Sequence, residues 1–431
     1  MSKHGSHLPR MAWWLLVVSG LFHLSISLSN TFVNIFVFKV DHSFTAIAWY
    51  NLPIFLLLPF TFVLAAVVAQ HTSTAMALRI GIGLHALFYA VTLIVGERAA
   101  RMPFALGILM GLAAGFYWLA FDVLSVEYTD KGGHEPFFGT HGVITSMASV
   151  VAPPIAGVLI SREDVFLGGL SGYHIVFGIS FVLFLGATFF SFHLRSDPLP
   201  RLHLIRGVQA LRKSSWLRLM AASSIYGLRE GVFMFLIGLL VYVATGSEMK
   251  LGVFLLLQGG LSFLAFYLAG RLSATYRSRL IGIGSIGMSV AAVLFLFPIH
   301  TPTIVIYGSL TAAALPFFMV PLQGYVYDGI DESVSDDTPA TTFIIVREWF
   351  ENLGRVIGVV LFLTLCVNES PNHLGKLQGL SFALGLVQLG AWAVLLPNIR
   401  KSRPQTPKGK RRAQLAEGER KTANKRLNPM S

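Results

Sequence analysis

Long, nearly unbroken apolar runs alternate with short polar connectors along most of the chain. Twelve such runs, of roughly 18 to 29 residues, fall at 11–38, 45–69, 79–96, 103–127, 137–160, 173–194, 216–244, 249–269, 280–298, 302–327, 340–366 and 377–397. Each is long enough to cross a hydrocarbon core of about 30 Å as a helix, the one single-segment structure that satisfies its own backbone polar groups in lipid. The first run is too long for a signal peptide and lacks a small-residue cleavage site, so it is counted as a span.

The pattern also repeats. Leu52-Pro53-Ile54-Phe55-Leu56-Leu57-Leu58 returns as Leu251-Gly252-Val253-Phe254-Leu255-Leu256-Leu257, displaced by about 200 residues. At nearly the same displacement Gly81-Ile82-Gly83 returns as Gly282-Ile283-Gly284, and Phe116-Tyr117-Trp118 stands opposite Pro316-Phe317-Phe318. Ala156-Gly157-Val158-Leu159 likewise answers Ile357-Gly358-Val359-Val360. A displacement shared by four segments marks an internal duplication, the sequence sign of secondary transporters whose two related halves rock about a site between them.

Composition agrees. Hydrophobic residues make up 54% of the chain and charged residues 13%, about half the charged share of a soluble domain. The single cysteine, Cys366, excludes a disulfide framework within the monomer. With both termini on the cytoplasmic side, the segments on that side hold most of the Lys and Arg, as the positive-inside rule requires, although Arg98 and Arg101 on the outer side run against it. The expected organisation is a cytoplasmic N-terminus (1–10), a six-helix bundle (11–194), a basic cytoplasmic linker (195–215), a second six-helix bundle (216–397) and a basic tail (398–431). In the linker Leu204, Ile205, Val208 and Leu211 fall at helical spacing with basic residues largely opposite, which predicts an amphipathic helix on the anionic inner leaflet. An ordinary solvated linker is the alternative. The tail from Arg400 has eleven basic and two acidic residues and almost no large apolar groups, so it is expected to stay unfolded and to touch anionic lipid, not nucleic acid. The sequon Asn368-Glu369-Ser370 is read as a chance occurrence.

Twelve spans, a six-plus-six duplication and a basic central linker resemble the major facilitator superfamily over about residues 11–397. After the eighth span, Gly270-Arg271-Leu272-Ser273 with Arg277 and Arg279 is similar to that superfamily's short cytoplasmic loop signature. The matching first-half loop, Ala69-Gln70-His71-Thr72-Ser73 to Arg79, lacks the expected Gly, Asp and Arg. Pro154-Ile155-Ala156-Gly157 resembles the end of the Pro-Gly motif typical of exporters. The resemblance implies an all-α membrane protein of 12 transmembrane helices, arranged as two bundles related by a pseudo-two-fold axis along the membrane normal.

Candidate chemistry lies in the ionisable groups inside the spans. The eleventh carries Arg347, Glu348, Glu351 and Arg355. At about 2.5–3.5 kcal/mol for each charge at a helix centre, four cost roughly 10–14 kcal/mol. Their spacing puts all four along one side, so they face protein or a water-filled cavity and can pair as Arg347 with Glu351 and Glu351 with Arg355. The seventh span adds Arg229 and Glu230 at the same depth as Glu351 and Arg355, which permits crossed pairs between the two helices. A fixed structural network, a coupling or gating network, and a charge site for substrate are three open readings. At the repeat displacement Glu230 answers Asn30, and Arg347, Glu348, Glu351 and Arg355 answer Ser146, Met147, Val150 and Pro154, so charge is concentrated in the second half.

Asp122 in the fourth span has no charged counterpart in the tenth and is a candidate for proton exchange, unless the vestibule already wets it. Glu127 and Asp328 belong to inner loops, and Asp331, Glu332, Asp336 and Asp337 read as a solvated acidic stretch. His23, His85 and His141 read as packing residues, and no metal motif is present. Asn30, Asn34, Asn51, Gln258 and Gln323 could bind substrate or join helices. Phe116, Tyr117 and Trp118 are candidates for an aromatic cavity wall, and Gly107, Gly111 and Gly115 form a small-residue ridge for close helix contact. No phosphate-binding loop, nucleophile elbow or metal-binding His pair occurs, so neither nucleotide hydrolysis nor enzymatic catalysis is expected, and no cofactor. The function expected is secondary active transport of a small organic solute by alternating access in the cell membrane, by a monomer, with protons as coupling ion and export favoured over uptake. A lipid or glycolipid flippase of the same fold is the nearest alternative. A membrane sensor or assembly protein that transports nothing is the alternative from another class.

Overall fold

The computed structural model describes residues 8–129, 134–166, 170–335, 338–366 and 374–401. The basic tail beyond 401, the first seven residues, the sequon at Asn368, and Asp336 and Asp337 lie outside these. The apolar runs form helices α1 (Arg10–Asp41), α2 (Phe44–His71), α3 (Thr74–Val95), the short α4 (Glu97–Ala100), α5 (Pro103–Glu127), α6 (His134–Phe166) and α7 (Ser171–Ser191) in the first half. After the short α8 (Leu204–Gln209) come α9 (Ser214–Thr245), α10 (Glu248–Ala292), α11 (Thr301–Asp331), α12 (Ala340–Leu365) and α13 (Gly375–Lys401). α10 carries the eighth span (Glu248–Ser273) and most of the ninth (Tyr276–Leu296, completed by a 3-10 turn at Val293–Leu296), and is broken where Tyr276 leaves helical geometry.

Eleven of the twelve spanning helices are recognisable from length and apolarity alone. The exception is α12, whose 26 residues include Arg347, Glu348, Glu351 and Arg355. Starts and stops follow local chemistry. Ser43, Ser73 and Ser247 cap α2, α3 and α10 by accepting from the amides of Thr45, Met76 and Lys250. Gly246 ends α9 in the left-handed conformation that glycine adopts without strain.

The duplication is visible in contacts. The Thr61 hydroxyl donates to the Gly111 carbonyl, and at the same interval Ser262 donates to the Ala312 carbonyl. Gly107 packs on Pro53 and Gly308 on Phe254, again in register. Gly81 lies on the backbone of Phe116 and Tyr117, and Gly284 lies on that of Phe317 and Phe318. The spatial partner of Gly81 is therefore Gly284, one Gly-x-Gly glycine further along than the sequence pairing with Gly282. Each half is a six-helix bundle of the same design.

The halves meet along two seams, α6 with the first limb of α10 and α2 with α12. At the first seam Gly157 lies against the Glu248 carbonyl and Gly252 against that of Pro153, so bare backbone faces backbone. At the second, Trp349 donates its indole N–H to the Pro59 carbonyl at 3.1 Å. The linker forms a short helical stretch over the four apolar positions that predict one, Leu204, Ile205, Val208 and Leu211. Its helical part is α8 and one 3-10 turn (Ala210–Arg212), with Ile205 and Val208 exposed. Upstream it is pinned to the first half: Ala75 donates its amide to the Ser196 hydroxyl, Leu199 donates to the Ala69 carbonyl, and Tyr128 donates to the Arg195 carbonyl. Downstream Gly207 packs on Thr342 and Val346 of α12. The upstream hydrogen bonds hold residues 195–199 outside any regular helix, ahead of the helical stretch.

The loop signature splits in function. Arg277 pairs with Asp328 at 2.5 Å and lies over the Tyr325 ring, tying α10 to α11. Arg271 and Arg279 lie over Tyr267 and Tyr276 of their own helix, and Gly270 has open space where a side chain would go. In the first half Arg79 donates to the carbonyls of Ser191 and Leu194, capping the end of α7.

Within the second half α9 and α12 approach through Gly227 and Gly231 on one helix and Gly354 and Gly358 on the other. A Cβ at Gly354 would collide with the Ser224 carbonyl and the Leu228 amide, both backbone. We expect Gly354→Ala to lower stability by about 1–3 kcal/mol through overpacking. Gly260→Ala, where nothing lies within 4 Å, should be neutral or stabilising by about 0.5–1 kcal/mol from helix propensity. Thermal unfolding of the two purified variants in detergent gives the comparison, and equal midpoints would refute the contact.

Candidate functional site

The glycine contact brings two charged helix faces together. From α12, Arg347, Glu348, Glu351 and Arg355 project along one side, and Glu348 and Glu351 are buried. From α9, Glu230 reaches Arg355, whose guanidinium lies 2.7 Å from its carboxylate. Arg355 is the hub: it also contacts Glu351 at 2.5 Å and Glu348 at 3.3 Å, and donates to the Asn352 side-chain oxygen at 3.1 Å. Arg347 lies 3.1 Å from Glu348 and 3.8 Å from Glu351. Asn352 donates to Glu348, and Tyr226 donates to Glu230 at 3.1 Å. The pairs along α12 fall where the spacing predicts, and one crossed pair, Glu230 with Arg355, forms between α9 and α12.

The other crossed pair does not form. Arg229 points away from the network, donates to the Tyr307 hydroxyl at 3.2 Å and lies over the Phe233 ring at 4.6 Å. Adjacent residues on a helix diverge by about 100°, so Arg229 and Glu230 serve different surroundings.

The network extends to the first half. Arg355 lies 5.7 Å from the centre of the Phe55 ring on α2. Asp122 on α5 is partly buried and within electrostatic reach of Arg347 and Glu348. Asp122 has no ion pair with either, so the acid that the sequence leaves unpartnered faces the cluster across the seam.

Beside the network, between the halves, is a cavity of about 900 Å³. It is lined from α1 by Asn30 and Thr31, from α6 by Ser146 and Ser149, and from the second half by Arg229, Glu230, Phe233, Gln258 and Thr311, among others. Its lining runs from mid-depth to Gly142 and Tyr267, towards the side on which α1 begins. On the opposite side the halves are closed. There Lys39 of α1 pairs with Glu248 of α10 at 2.9 Å, Tyr173 donates to the same carboxylate at 3.0 Å, and Gly157 and Gly252 lock α6 to α10.

Of the residues singled out for the cavity, Asn30 and Gln258 line it, with Gln258 also donating to the Gly308 carbonyl. Asn34 does not: its side-chain oxygen accepts from Asn51 inside the first bundle. Phe116 and Tyr117 are buried core, Tyr117 stacking on Phe22, and Trp118 meets Phe22 and His23 edge-on. Gln323 also lies off the cavity lining. A helix places three consecutive residues on three bearings, so a sequence triplet cannot form one wall. Sequence reading missed the paired Gly-x-x-x-Gly motifs of α9 and α12, a known signature of close helix approach. It also treated His23 and His141 separately, although Ser19 holds His141 at 2.7 Å and the two rings lie 5.1 Å apart.

The profile of the Major Facilitator Superfamily matches residues 15–359. A Bacillus subtilis protein described as uncharacterized protein YqgE is 36% identical over 82% of each chain. A Geobacillus stearothermophilus protein described as an uncharacterized protein in the sodM 3′ region is 41% identical over 38% of this chain and 74% of its own. The fold is similar to that of the nucleoside transporter NupG, with a TM-score of 0.65 at 13% identity over 90% of this chain and 100% of that one. It is also similar to a bacterial homologue of the human drug peptide transporters, with a TM-score of 0.67 at 11% identity over 91% and 98%.

Removing one partner of a buried charge network leaves the others uncompensated, typically at about 3–5 kcal/mol. Arg355 serves three carboxylates and Arg347 two. Arg355→Gln should therefore destabilise the purified protein more than Arg347→Gln in thermal unfolding, by about 1 kcal/mol or more, the net contribution of a typical hydrogen bond. A larger loss for Arg347→Gln would contradict the hub assignment.

Proposed function

Because this chain belongs to the Major Facilitator Superfamily, we propose that it is a secondary active transporter moving a small organic solute by alternating access, coupled to protons. One observation carries the reading. Glu230 lines the cavity between the halves and is also paired with the Arg355 hub. A solute that displaces or reorients α9 therefore acts on the charge network directly. The cavity is closed at the Lys39–Glu248 side and reaches towards the other, as one state of an alternating-access cycle requires.

Charge balance supports the proton. Glu230, Glu348 and Glu351 share two guanidiniums, Arg347 and Arg355. The ion-paired network itself therefore carries one carboxylate more than guanidiniums, and a proton on it removes that excess. Asp122 is placed to feel that event from the other half. Coupling then consists of exchanging a carboxylate between its Arg partner and a proton as the halves rock. Export is the favoured direction, because Pro154-Ile155-Ala156-Gly157 sits at the α6–α10 seam, where Gly157 meets the Glu248 backbone. The proposed setting is the cell membrane, with both termini cytoplasmic.

Reconstituted vesicles with an imposed pH gradient and a panel of organic solutes provide the test, with proton movement followed by an entrapped pH-sensitive dye. Wild type should move solute with opposing proton flow. Glu230→Gln and Glu351→Gln should fold yet lose gradient-driven flux by at least tenfold, while solute exchange without a gradient persists. Folded variants with unchanged pH dependence would refute coupling through the network. Loss of folding alone would assign these residues to structure.

A further inference from the structure

Arg229 differs from Arg347 and Arg355, the other two arginines at this depth of the second half. It is 4% exposed, lines the central cavity and has no carboxylate partner among the described residues. Its guanidinium bonds a neutral hydroxyl, that of Tyr307, and rests on the Phe233 ring, while its Nε has no hydrogen-bond partner. The Thr311 hydroxyl, on the same cavity wall, is buried and also without a partner. An unpaired buried cation is expensive, and one aromatic face and one hydroxyl recover only part of that cost. The other charged residue of the lining, Glu230, is directed to Arg355 at 2.7 Å and forms no ion pair with Arg229. The cavity therefore offers a guest one guanidinium without an ion-pair partner among the described residues, amide and hydroxyl groups from Gln258, Ser262 and Thr311, and an apolar wall from Phe233 and Phe263.

We infer that the solute is an amphipathic organic anion, a carboxylate or comparable acid group on an apolar body, with the acid group held by Arg229 and Thr311. This rests on the transporter reading of the cavity and names the class of its substrate. The guanidinium fork suits a carboxylate in two-point contact. The aromatic wall suits the rest of the molecule, since sites of this kind bury most of a ligand against apolar side chains and orient it by few polar groups.

Three probes sharing one ring system separate charge from shape: 2-naphthoate, 2-naphthamide and 2-naphthylmethylamine. Titrated calorimetrically into the full-length protein in detergent, the carboxylate should bind at least tenfold more tightly than the amide or the amine. Arg229→Gln should remove that preference, and Arg229→Lys should retain part of it. Equal binding of all three, preference for the amine, or no binding by any in wild type would overturn the inference. So would a folded Arg229→Gln that keeps full preference. If Arg229→Gln does not fold, the wild-type series decides alone. Flux of the probes in vesicles keeps the two readings apart. Anion-selective binding without flux would sink the transport reading and leave the site, whereas flux without charge preference would sink the anion site and leave transport.

Discussion

The structure depends on how five charges are kept in a membrane. Each ion of α12 would be prohibitive alone in hydrocarbon. What makes them tolerable is ion pairing at hydrogen-bond distance around Arg355, with Asn352 and Tyr226 adding hydrogen bonds at its edges. Buried ion networks of this kind are weak evidence for stability, because desolvation offsets most of the Coulombic gain. A helix of leucines would hold α12 more cheaply. Three carboxylates against two guanidiniums are a charge arrangement that can change, as the proposed coupling requires.

Geometry that serves this network is built into the backbone. Four glycines let α9 and α12 approach until carbonyls of one nearly touch the other, and only at that separation does Glu230 reach Arg355. Another face of α9, with Arg229, Phe233 and Ile237, lines the cavity, so cavity and network share one helix. The seams between the halves use the same device at Gly157 and Gly252, with the Lys39–Glu248 pair over the closed end. Bare backbone contacts favour sliding and rocking of intact helices, because no side chain must be extracted when they part. The first half supplies polar uncharged lining, Asn30, Ser146 and Ser149, where the second supplies charge, so the cavity is electrostatically lopsided.

Much of this was legible in the sequence because the bilayer imposes strict rules. Apolar length gave the spans, and a shared displacement gave the halves, later seen in matching contacts such as Thr61 with Gly111 and Ser262 with Ala312. Spacing along α12 gave its internal pairs. Bearings were less accessible. A one-residue step rotates a side chain by about 100°, which is why Arg229 left the network and why Phe116 and Tyr117 entered the core of their own bundle instead of the cavity. Asn34 was lost to Asn51 for the same reason: helix rotation is set by packing that one sequence does not encode in its periodicity. In the linker, apolar spacing marked the helical stretch from Leu204 to Arg212, while the bonds that pin residues 195–199 to the first half leave no periodic trace in the sequence.

The central claim is that the α9–α12 network switches with proton binding and that the halves rock with it. The most direct measurement places spin labels at the exposed positions Ile94 and Leu296, one on each half at the closed side, after replacing the buried Cys366 with alanine. Distances between them, read by pulsed electron resonance in lipid nanodiscs, should show two populations whose ratio shifts with pH. That shift should disappear in Glu351→Gln. A single distance unchanged by pH in wild type, or a pH response that survives in Glu351→Gln, would contradict the account.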